Sequence, residues 1–190
     1  MLVGALLTVF AMLHHPEGVA QNPTYKNVAK WVHGSLIFFL IFNTYGLIRF
    51  SNTHAIKGLD IKLGLLFYYV GIGAFIGAAL VSGFIQTSLA SAYGENAEAI
   101  SNFNKFASLF NQALAKLGVV SFGATGVFFA PVLIIEKGAP RLVGIIGGIV
   151  GVALLTSMLS GFYLSVMTMT ILTILIVIWH ATIAVFLFNK

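Results

Sequence analysis

Long apolar runs alternate with short polar interruptions along this chain, and their spacing predicts helices that cross a membrane. Stretches 117–135 and 142–159 carry no charged residue at all. Runs of roughly 20 apolar residues match the hydrocarbon thickness of a bilayer. A membrane β-barrel would instead show short segments of alternating polarity. The pattern therefore predicts an all-α fold, a polytopic integral membrane bundle.

Punctuation along the chain divides the apolar sequence into six expected spans, at about 1–15, 31–50, 63–90, 117–135, 141–160 and 166–188. Pro16, Glu17 and Gly18 stop the first. It is short, reaching only about 22 Å at helical rise, so it either falls short of a full crossing or starts within the head groups. It has neither the basic start nor the small-residue cleavage pattern of a signal peptide. Thr24 is the expected N-cap of the second helix and Asp60 that of the third. Gly138 and Pro140 fit the cap and first turn of the fifth. A turn must lie within 160–165, because the uncharged run from Leu142 to Asn189 is far too long for one crossing.

Before the fourth span, Phe103, Phe106, Phe110, Leu114 and Leu117 recur at helical spacing, with Asn104, Lys105, Asn111, Gln112 and Lys116 between them. This predicts an amphipathic helix at about 102–116. Either it lies on the bilayer surface or it continues into span four as one long helix. A faint internal echo links Val81-Ser82-Gly83-Phe84 with Leu159-Ser160-Gly161-Phe162, each near the end of a span.

Composition narrows the picture. Hydrophobic residues make up 59% of the 190 and charged residues 8%, which leaves no soluble way to cover the apolar surface. The length suits one transmembrane domain, 1–190. The net charge of +5 comes from basic residues scattered at span ends, where they meet lipid head groups. No cluster suited to nucleic acid appears. Six spans put both termini on one side, side A, with Arg49, Lys57, Lys62, Lys137, Arg141 and Lys190. The other, side B, has Lys26, Lys30, Lys105 and Lys116. This excess places the N- and C-termini in the cytoplasm. Trp31, Tyr25, Tyr93 and Tyr163 fall near the side-B boundary, as an aromatic belt would.

Candidate chemistry rests on histidine. The absence of cysteine excludes disulfides, thiolate metal sites and cysteine nucleophiles. His14, His15 and Glu17 end span one, and His33 begins span two on the same side. Imidazoles with a carboxylate suit zinc or copper(II), and two imidazoles suit a haem iron. The alternative is a set of polar interfacial anchors. His180 lies inside span six beside Trp179, where an ionisable residue must face protein or water. It is either a proton-relay or quinone-contacting group, hence a candidate cofactor-binding residue, or a packing residue bonded to one of Asn43, Tyr45, Tyr68 or Tyr69 at similar depth. His54 is expected to be solvated in a loop.

Absences exclude other functions. All five acidic residues fall in loops or at interfaces, whereas ion-coupled transporters usually carry an intramembrane carboxylate. No phosphate loop, zinc-protease motif or nucleophile elbow is present. Gly73-x-x-x-Gly77, Gly144-x-x-x-Gly148 and Gly147-x-x-x-Gly151 allow close helix approach, within the chain or between copies. The expectation is thus a small non-enzymatic membrane subunit or scaffold that packs in lipid against other membrane proteins or itself. A histidine-based metal or haem redox protein is the alternative, and a small-solute or lipid transporter comes third.

Overall fold

The structure, a computed structural model, describes residues 1–15, 23–53, 58–92, 97–161 and 163–188. Seven α-helices account for nearly all of them: α1 (Leu2–Leu13), α2 (Pro23–Thr53), α3 (Leu59–Leu80), α4 (Gln86–Ala92), α5 (Ala97–Ile134), α6 (Ala139–Leu159) and α7 (Val166–Phe188). A π-helical turn, Val81–Ile85, joins α3 to α4 without a break. Five helical stretches are long and apolar enough to cross a membrane, and α1 is the exception at 12 residues. At helical rise α1 is about 18 Å long, short of the roughly 30 Å hydrocarbon core. The protein is an all-helical membrane bundle.

The amphipathic stretch does not form a separate element. It continues into span four, and α5 runs unbroken for 38 residues with Pro131 inside it. That is about 57 Å, longer than the roughly 45 Å of a bilayer with its head groups, so α5 tilts or projects. Two expected caps also move. The second helix starts at Pro23, which places Thr24 inside it. Gly58 is the N-cap of α3, and Asp60 sits in the first turn with its charge at the positive end of the helix dipole. Gly138, at φ 75°, caps α6 as expected, with Pro140 in the first turn. Gly161, at φ 74°, makes the α6–α7 turn, a backbone conformation that side chains with a Cβ rarely adopt. Its counterpart in the echoed motif, Gly83, lies inside a continuous helix. The two motifs thus adopt different structures, which argues against a tandem repeat.

Helix α5 is central, packed on α3 along one side and on α6 along the other. Here the glycines act within the chain. A Cβ at Gly126 would collide with the Gly147 carbonyl oxygen, and one at Gly123 would sit 3.0 Å from the Gly151 oxygen. The Gly144/Gly147/Gly148/Gly151 series lets α6 lie against α5 and Trp179, so these glycines are occupied by the chain's own packing. Gly73 instead faces open space. Helix α7 packs on α6 and α2, and α1 lies between α2 and α7.

Helix direction sets two ends. At one, Gly46 of α2 lies beside Met1, and Phe50 meets Phe186 edge to face at 5.6 Å. At the other, the C-terminal end of α1, the start of α2 and the π-helical turn converge. There Gln112 also clamps the α6–α7 connection, its Nε2 donating to the Leu164 oxygen (2.8 Å) and its Oε1 accepting from the Leu164 N–H (3.1 Å). Outward-facing residues are largely apolar, including Phe38, Ile41, Leu66, Ile149, Val152, Ile171 and Val185. In a bilayer this is the surface that lipid covers.

Candidate functional site

Two of the four side-B candidates meet. The Nε2 atoms of His15 and His33 are 3.1 Å apart, and their rings stand edge to face with centroids 4.7 Å apart. Local chemistry fixes His33. Its Nδ1–H donates to the Ala29 oxygen one turn back, at 2.7 Å, which leaves Nε2 as the nitrogen presented to His15. Gly83 fixes it again, since a Cβ there would collide with the His33 side chain. The π-helical turn that holds Gly83 therefore receives an imidazole, and such turns recur at functional sites.

His14 does not join them. It is the C-cap of α1, and its Nδ1–H turns back to the Phe10 oxygen at 2.8 Å on the exposed side. Glu17 and His54 lie outside the described residues. Among the described residues no three His, Cys, Asp or Glu side chains gather as a metal cage. A haem between His15 and His33 does not fit this arrangement. Axial imidazoles stand on opposite faces of the macrocycle with iron between them, and two rings in edge contact leave no slot for the plate.

From this pair a cavity of about 160 Å³ extends into the bundle. Its walls include Thr8, His15, His33, Ser82, Asn43 and Asn111, with apolar surface from α2, α3, α5 and α7, and His180. Histidines that the sequence separates by depth thus line one cavity.

His180 departs from the expected hydrogen bond. It is buried, 1% exposed, and neither ring nitrogen has a hydrogen-bond partner. Its neighbours are aromatic faces and edges: Trp179 stacked at 5.7 Å, Tyr68 at 5.8 Å and Phe122 at 6.0 Å, the last two nearly edge-on. Tyr68 thus meets His180 ring to ring, while Tyr45 and Tyr69 are exposed. Asn43 is buried and lines the same cavity, yet its Oδ1 is unpartnered, as is that of Asn111. Buried polar atoms are nearly always paired, so the three lining residues that carry these four unpartnered atoms stand out.

Asn111, Thr8, Ser82 and Gly83 were not legible as members of one site. Asn111 reads as part of a polar helix face, and Ser82-Gly83 as the end of a span. Only a polar residue inside an apolar run, as with Asn43, carries a signal in the sequence.

No family model, curated protein or solved structure matches this chain.

Proposed function

We propose that the protein binds a small, lipid-soluble ring compound bearing hydroxyl or carbonyl oxygens, of the quinol class, inside the bundle. The observation that carries this reading is the cavity lined by His180, Asn43 and Asn111, three residues with buried side-chain atoms that lack hydrogen-bond partners. About 150 Å³ is enough for a benzene-sized ring, and 160 Å³ is available here. Phe75, Phe122, Leu40, Ile176 and Val177 give such a ring an apolar bed. The orphan atoms set its polarity. A neutral imidazole offers one donor and one acceptor, and the two amide oxygens accept, so hydroxyl donors on the ring complete the set. Each amide can turn over to donate instead, which suits the carbonyl form of the same ring.

The packing-subunit reading rests on the apolar outer surface, which lipid covers equally well, while most of the glycine series is already used within the chain. An intramembrane cavity with unpaired polar atoms is what a binding protein needs and a scaffold does not.

Trp179 supplies the test. It is buried and stacked on His180, whereas Trp31, the other tryptophan, is 79% exposed. In a Trp31→Phe background, a short-tailed benzoquinol or benzoquinone should quench the remaining tryptophan saturably. Asn43→Leu should weaken that quenching by about tenfold, as expected for one lost buried hydrogen bond. Quenching that rises linearly with the probe and ignores Asn43 would reflect partition into lipid alone and defeat the proposal.

We also place the end carrying both termini in the cytoplasm, from the basic residues on that side. A cytoplasm-active reporter fused after Lys190 should be active. Activity only of an export-dependent reporter there would reverse the orientation.

A further inference from the structure

We infer that His15 and His33 form a two-imidazole site for a divalent ion of the zinc–copper class at the outer end of the cavity. The inference stands apart from the quinol reading and uses none of the deeper residues.

The spacing is the first ground. Imidazole nitrogens bind zinc at about 2.0–2.1 Å, so two of them on one tetrahedral ion stand about 3.3 Å apart. The Nε2 atoms here are 3.1 Å apart, in hydrogen-bond contact and close to the separation that two ligands of one ion need. The second ground is orientation. Metal-bound histidines usually donate the other ring N–H to a carbonyl or carboxylate, which fixes the tautomer and aims the lone pair. His33 does this through Ala29 and is seated against Gly83. Its Nε2 lone pair is therefore committed toward His15.

Only a proton or a cation can hold two imidazole nitrogens together in this way. Without a metal, His15 Nε2–H donates to His33 Nε2. With one, His15 takes its other tautomer, both Nε2 lone pairs face the ion, and the Nε2 proton moves to Nδ1. Both rings then turn, so that each lone pair leaves the line between the two nitrogens and converges on the ion. Water would complete the coordination beside the cavity. Imidazole donors with water favour zinc or copper(II) over magnesium or calcium, which prefer oxygen cages. The ion would also tie the C-terminal end of the 12-residue α1 to α2.

The probes are Zn²⁺ and Co²⁺ added alone to purified full-length protein in detergent, followed by dialysis. Wild type and His14→Ala should each retain about one ion per chain, with Co²⁺ giving the intense visible bands of low-symmetry, four-coordinate cobalt. His15→Ala should retain none, and His33→Ala none. His180→Leu should retain the full equivalent, so failure of the quinol reading leaves this one standing. His15 lies just beyond the end of α1, so His15→Ala is expected to keep its helicity and detergent elution volume even if His33→Ala does not. Wild type retaining no ion, or His15→Ala retaining as much as wild type, would overturn the proposal.

Discussion

Replacing His180 with leucine is expected to make the ligand-free protein harder to unfold, by about 1–2 kcal/mol, while abolishing saturable quinol binding. An unpartnered polar group in an apolar setting costs about that much, and leucine removes it at similar volume. His180 has two such atoms, surrounded by Trp179, Tyr68 and Phe122. His180→Ala should act in the opposite direction. It also removes the unpaired nitrogens, but it leaves three aromatic rings without a packing partner, at a net cost of about 2 kcal/mol. The two variants are compared by thermal unfolding of helicity in detergent, with and without the benzoquinol probe. Wild type should gain stability from the probe and both variants should not. A histidine retained for packing alone predicts a different result: leucine and alanine would both destabilise, and the probe would act on all three proteins alike. A residue that costs stability in the empty protein and repays it only when the cavity is filled has the signature of a binding group.

The sequence made the bundle legible because lipid imposes a crude rule: a helix must be long and apolar to cross. Thus 141–160 and 166–188 are close to the observed α6 and α7. Caps were less legible. Thr24 and Asp60 have the right chemistry, but the helices begin at Pro23 and Leu59, before either can act. The continuity of α5 was open because an amphipathic stretch that joins an apolar one suits both a surface helix and a projecting one. The site was legible in its parts and illegible in its assembly. That His15 reaches His33 while His14 points away follows from the turn that ends α1 at Leu13 and from the packing of α1 on α2, which no local pattern records. That His180 lacks a partner was contrary to the reading from depth. Tyr68 and Asn43 are at the expected level, but Tyr68 presents its ring and Asn43 leaves its oxygen unpaired. Depth along a helix can be counted from sequence; the azimuth of a side chain depends on every neighbouring helix.

The same limit applies to the glycines, and it yields a large expected effect on stability. The spacing of Gly147 and Gly151 marks a close helix contact but does not name the partner. That partner is α5, through Gly123 and Gly126. Gly126→Val is expected to destabilise the bundle by about 3 kcal/mol, because overpacking here has no soft direction in which to relax. A Cβ at Gly126 meets the backbone oxygen of Gly147 and then the Cα of Gly151 at 3.2 Å, and neither can rotate aside as a side chain does. Helices α5 and α6 must move apart. Trp179 packs against Gly147 and His180 against Trp179, so the disturbance should reach the cavity. Gly73→Ala is the matched control. Its Cβ meets nothing, and exchanging glycine for alanine in a helix favours folding by up to about 1 kcal/mol. Both are read from unfolding in detergent, where Gly126→Val should lower the midpoint and Gly73→Ala should leave it level or raise it. If Gly126→Val unfolds like wild type, α5 and α6 do not approach through their glycine faces, and the cavity between α2, α3, α5 and α7 loses the wall that supports it.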